Sequence, residues 1–168
     1  ATEASPQDML NWAQKFFKLP WMENIILMAV EKKQKHALYC FHHWFHPFPP
    51  DHANFLKENP DFQERLGQKI IELCAPDNPK ELLENAGEIS IYVKDHDCLK
   101  KYFIQAIEKE PTLALLHAEK LPACVDDLIL ELAQKAFREM TPKDPYYEEI
   151  MLQVHRLLEV NTQSTTLQ

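Results

Sequence analysis

Twelve prolines set against two glycines restrict the folds open to this 168-residue chain more than any other feature. Glycine supplies the positive-φ positions of tight hairpin turns and the bare backbone that cradles phosphate. With two of them, a sheet-rich fold or a nucleotide loop lacks its usual hinge positions. Proline has no backbone donor, so it suits the first turn of a helix and disrupts the interior. Abundant, spaced proline with scarce glycine therefore describes helices opened and closed by proline.

The apolar pattern agrees. Ser5-Pro6 pairs a capping hydroxyl with a first-turn proline, and Met9, Trp12, Ala13, Phe16 and Phe17 follow at helical spacing over about residues 6–18. Pro20 opens a stretch whose stripe is Met22, Ile25, Ile26, Ala29 and Val30. Helical character ends before Pro47-Phe48-Pro49-Pro50, and Asp51 is placed to cap a short helix over roughly 52–58. Asn59-Pro60 and Asn78-Pro79 both read as a capping amide followed by a first-turn proline. The first precedes Phe62, Leu66, Ile70, Leu73 and Cys74; the second precedes Leu82, Leu83 and Ala86. The alternation Ile89-Ile91-Val93 is too short to form a sheet alone and is read as helical. Asp95 or Asp97 caps a helix carrying Leu99, Tyr102, Phe103, Ala106 and Ile107. Pro111 starts a short helix, Pro122 a longer one to about Met140, and Asp144-Pro145 the last, to about Val160.

These elements make an all-α protein: a single compact domain of about eight helices over residues 1–160, arranged as an antiparallel helical bundle or a short α-solenoid. Residues 161–168 read as a polar, disordered tail. A chain of this size buries about 70% of its unfolded surface, enough for a core without staples. A 45% hydrophobic and 26% charged composition is globular.

The formal charge of −8 opposes a phosphate backbone, which argues against nucleic acid as a partner. No apolar run reaches the 18 or so residues that a transmembrane helix needs. Cys40, Cys74, Cys98 and Cys124 are scattered without a C-x-x-C pair, the habit of core thiols in a reducing, cytoplasm-like environment.

One spacing of residue types recurs: Gly67, Ile71, Cys74, Pro79; then Leu99, Phe103, Ala106, Pro111; then Ala133, Phe137, Met140, Pro145. The middle copy, within residues 80–113, resembles a tetratricopeptide-repeat helical hairpin. Asn85-Ala86-Gly87 stands where that motif has Leu-Gly on its first helix, Asp95 stands near the inter-helix turn, and Phe103, Ala106 and Pro111 match the second helix and its terminator. The resemblance implies stacked antiparallel helices whose small residues permit close approach, and a protein or peptide as ligand. The motif departs from its pattern at Leu83, where an aromatic is usual, and at Leu99, where a small residue is usual.

The densest cluster of chemistry-bearing residues is Cys40-Phe41-His42-His43-Trp44-Phe45-His46-Pro47. His42 and His46 share a helical face, and with Cys40 and His52 they form a candidate ligand set for zinc. Phe41, Trp44, Phe45, Phe48 and Phe55 make the same segment the candidate partner-binding surface. No P-loop, dinucleotide fingerprint or nucleophile elbow is present, and no catalytic residue is assigned. The acids around Cys98 are expected to raise its pKa and deactivate it as a nucleophile. The sequence thus points to a non-enzymatic interaction module (an adaptor, a chaperone-like subunit or a secreted effector) holding another protein or peptide through an apolar helical groove. The alternative is a metal-binding or cysteine-dependent enzyme built on residues 40–52, and self-association into a homodimer is a third reading.

Overall fold

The computed structural model describes residues 22–32 and 58–166. Eight α-helices and two short 3₁₀ turns account for most of them, with no strand among the described residues. The helices are α1 (Met22–Lys32), α2 (Pro60–Asp77), α3 (Pro79–Glu84), α4 (Ala86–Ile89), α5 (His96–Lys109), α6 (Pro111–Leu116), α7 (Asp126–Glu139) and α8 (Tyr147–Thr166). The 3₁₀ turns, Ala118–Lys120 and Ala123–Val125, link α6 to α7.

Proline opens α2, α3 and α6 at the first helical positions, as its missing donor favours. The capping amides behave differently from the sequence expectation. Asn59 and Asn78 occupy the N-cap positions, yet neither side chain makes a cap hydrogen bond. The fixed φ of proline begins these helices without one. Asp95 does cap: its Oδ1 accepts from the amides of Asp97 at 3.0 Å and Cys98 at 3.1 Å, offsetting two of the unsatisfied donors at the start of α5.

The Ile89-Ile91-Val93 alternation is not helical throughout. Helix α4 ends at Ile89, residues 90–92 turn, and Val93 enters an extended link to α5. Ile89 and Val93 are buried, while Ile91 is 73% exposed. The alternation places two anchors inward across a reversal of the chain, which neither a strand nor a helix requires. The last helix also begins two residues beyond Pro145. The Asp144 carboxylate accepts from the Thr141 amide at 2.7 Å, and Tyr146 takes a left-handed φ of 59°, so the regular helix starts only at Tyr147. It then continues past Val160 to Thr166.

The core centres on α2, α3 and α5. Phe62, Leu66, Ile70 and Ile71 from α2 meet Leu82 and Leu83 from α3 and Phe103, Ala106 and Ile107 from α5, all essentially without solvent contact. Each of these side chains larger than alanine contributes about 1.5–3 kcal/mol by leaving water. Gly67 permits the closest approach: a Cβ there would lie 2.8 Å from Val93 Cγ2, below any tolerable contact. At Gly87 the same addition would meet Lys120 Cβ at 3.6 Å, an ordinary distance. Helix α1 seals the outer side of α2 with Ile26 and Val30, and the Glu23–Arg65 and Glu31–Lys69 ion pairs flank that contact.

Helices α7 and α8 form a second, antiparallel pair. Ile129, Ala133 and Ala136 are buried on α7, and Ile150, Met151 and Val154 on α8. This pair joins the rest of the core through α6, whose Ala114 and Leu115 are buried.

Candidate functional site

Helix α8 carries more apolar surface than its core stripe can bury. At about 100° per residue, Val160 stands about 120° around the helix from buried Val154, and Leu152 about 160°. Both are outside the stripe, and they are 66% and 54% exposed. On α7, Leu128, Ile129 and Leu130 are consecutive, so they cannot all face inward; Ile129 is buried and Leu130 is half-buried. Among the described residues six large hydrophobics are exposed, and Phe137, Tyr146, Leu152 and Val160 belong to α7, α8 and their connection.

The α7–α8 pairing gathers part of this surplus into a groove of about 530 Å³. Its apolar lining includes Ile129, Leu130, Leu157 and Val160, and the first 3₁₀ turn closes one end with Ala118 and Glu119. Asp126, Asp127, Gln153, Arg156 and Asn161 supply the polar lining. Arg156 Nη1 donates to Glu119 Oε1 at 3.0 Å, tying α8 to that turn. Both side chains are more than half exposed, so the pair contributes at most about 1 kcal/mol. Asp126 and Asp127 occupy the first turn of α7, where carboxylates favour the helix N-terminus. The groove is open and walled by helices, with apolar and polar side chains sharing its lining.

Two other arrangements have a structural explanation. The cleft beside Pro60, Gln63 and Tyr92 contains a turn whose amides point at the Glu64 carboxylate. Lys94 N donates to both oxygens at 2.9 Å and Asp95 N to Oε1 at 3.0 Å, so an internal carboxylate fills the anion position. Cys98 lies next to this turn. Burial, followed by the charges of Asp95, Glu64 and Glu72, pushes its thiol up to about 11 against the opposing influence of Lys101. Burial also raises Cys124; its own backbone hydrogen bond and Lys100 oppose that shift, and Asp126 adds to it. Cys74 is wholly buried. The rise at Cys98 has the direction the sequence implies, although burial contributes more to it than the acids, and neither half-buried thiol is poised as a nucleophile at neutral pH.

The histidine and aromatic segment lies outside the described residues. That includes the zinc candidates Cys40, His42, His46 and His52 and the partner-surface candidates Phe41, Trp44, Phe45, Phe48 and Phe55. Among the described residues, no group of three or more His, Cys, Asp and Glu side chains is placed to hold a metal ion. None of the described helices is long and apolar enough to cross a membrane. The sequence reading did not single out the α7–α8 groove. Its available signals were Leu130 directly beside Ile129 and the off-stripe position of Val160.

No family model matches the chain, and no curated protein or solved structure matches it significantly either.

Proposed function

We propose that this chain is a non-enzymatic interaction module that holds another protein through the apolar groove between α7 and α8. The carrying observation is the coincidence of an open, helix-walled groove with apolar side chains off the core stripe, Val160 above all. Solvent-exposed apolar surface costs free energy, and a gathered patch of it is a common basis for protein association. The raised pKa values of Cys98 and Cys124 weigh against covalent catalysis by either thiol.

Photo-crosslinking tests this reading. A photoreactive residue at Val160, in the full-length chain produced in its own cells, is expected to yield a discrete protein adduct. The same residue at Glu108, an exposed position on α5, should yield none. Equal labelling from both positions, or none from Val160, overturns the proposal.

A further inference from the structure

We infer that the occupant of the α7–α8 groove is an amphipathic helix carrying Lys or Arg beside its apolar anchors; this deepens the groove reading and rests on it. The groove decides the apolar half of that description. Ile129, Leu130, Leu157 and Val160 offer a hydrophobic strip, and the stretch Gln153–Asn161 of α8 that borders it is about two helical turns long. Two anchors spaced three or four residues apart, one turn, fit within such a strip.

The backbone chemistry decides the helix. Both walls are helices, and among the described residues there is no strand edge from which a partner could extend a sheet. A segment lying on apolar walls must satisfy its own amides and carbonyls, and an α-helix does so internally.

Charge decides the flanks. The charged lining consists of Glu119, Asp126 and Asp127 against Arg156 alone, and Arg156 is already paired with Glu119. Asp126 and Asp127 are exposed and make no ion pair among the described residues. Their place in the first turn of α7 explains their presence but leaves their charge at the groove. Beyond the lining, residues 118–161 hold six further Asp and Glu against four Lys and Arg. A second copy of this −8 chain would bring the same sign to the interface, so a basic partner fits better than self-association.

The test is a selection from a displayed library of helical peptides with two fixed leucine anchors four residues apart and all flanking positions randomised, using the full chain as bait. Recovered peptides are expected to be enriched in Lys and Arg. They should bind Val160→Glu at least about tenfold more weakly and the double variant Asp126→Asn, Asp127→Asn about fivefold more weakly, with affinity falling as salt rises. Val160 is 66% exposed, and an unchanged thermal transition in Val160→Glu verifies that the variant stays folded. Acidic or charge-indifferent peptides that still lose affinity for Val160→Glu would overturn the basic partner and leave the groove reading standing. Peptides indifferent to Val160→Glu, or no recovered peptides, would overturn both.

Discussion

The pair α2–α5 and the pair α7–α8 are built from helices of similar amphipathic character, yet they use their apolar residues in opposite ways. In the first pair nearly every large apolar side chain finds cover. α3 packs alongside, α1 seals the far face of α2, and a glycine admits Val93 to contact. In the second pair one stripe is buried and a surplus remains at the surface, from Phe137 to Val160. The difference is one of position. A helix with neighbours on several sides can bury residues off its main stripe, whereas a helix at the margin of the stack cannot. Stability should therefore be concentrated around α2 and α5, and recognition at α7 and α8.

Truncating the shared core should have the largest effect. Phe103 is fully buried between α2 and α3, so Phe103→Ala is expected to lower stability by about 3–5 kcal/mol, read from denaturant midpoints. A loss under about 1 kcal/mol would mean that the first pair is not the stable part of the molecule.

Overpacking comes next. Gly67→Ala forces a methyl against Val93, at an expected cost of about 1–3 kcal/mol despite alanine's better helix propensity. Adding Val93→Ala should recover part of that loss in a double-mutant cycle, which additive losses would contradict.

A smaller effect concerns Cys98. With its pKa near 11 rather than 9, its thiolate fraction at neutral pH is about a hundredfold lower, and the higher intrinsic reactivity of a more basic thiolate returns about tenfold. Alkylation mapped by mass spectrometry should thus be about tenfold slower at Cys98 in the native protein than in the unfolded chain. The sign for stability follows from linkage. A folded pKa raised above the unfolded one contributes stability that is fully present below about 9 and is lost as pH rises through about 11. Equal native and unfolded alkylation rates would contradict the burial and the acidic surroundings that raise this thiol.

The smallest stability effect belongs to the second pair. Leu152→Ser and Val160→Glu change residues 54% and 66% exposed, so each should move stability by no more than about 0.5 kcal/mol. A loss above about 2 kcal/mol in either would show that the surplus is structural and would collapse the contrast between the two pairs.

Much of the helical layout was legible in the sequence because its signals are local. Pro60, Pro79 and Pro111 mark helix starts through their own fixed φ, and the stripe Phe62, Leu66, Ile70 is buried as its spacing implies. The repeated spacing was less informative about burial: Phe103 is wholly enclosed, whereas its counterpart Phe137 is 54% exposed and stacks edge-on with His155 at 5.8 Å. The same residue type at the same helical register met a neighbour in one case and solvent in the other. Ile89, Ile91 and Val93 misled for a related reason, since the chain turns at residues 90–92 between the two buried anchors.

Composition and proline spacing by themselves determined the helical class and, at Pro60, Pro79 and Pro111, three of the eight described helix starts, because backbone sterics and hydrophobic periodicity act over one or two turns. Which glycine permits a close approach, which thiol is suppressed and which apolar residues form a groove were decided by the tertiary structure. Val93 meets Gly67 from 26 residues away, Glu64 reaches Cys98 across a packed turn, and the groove exists only where α7 and α8 lie side by side. Close contact and electrostatic fields depend on distance in space, and a periodic sequence pattern specifies a face without specifying what stands opposite it.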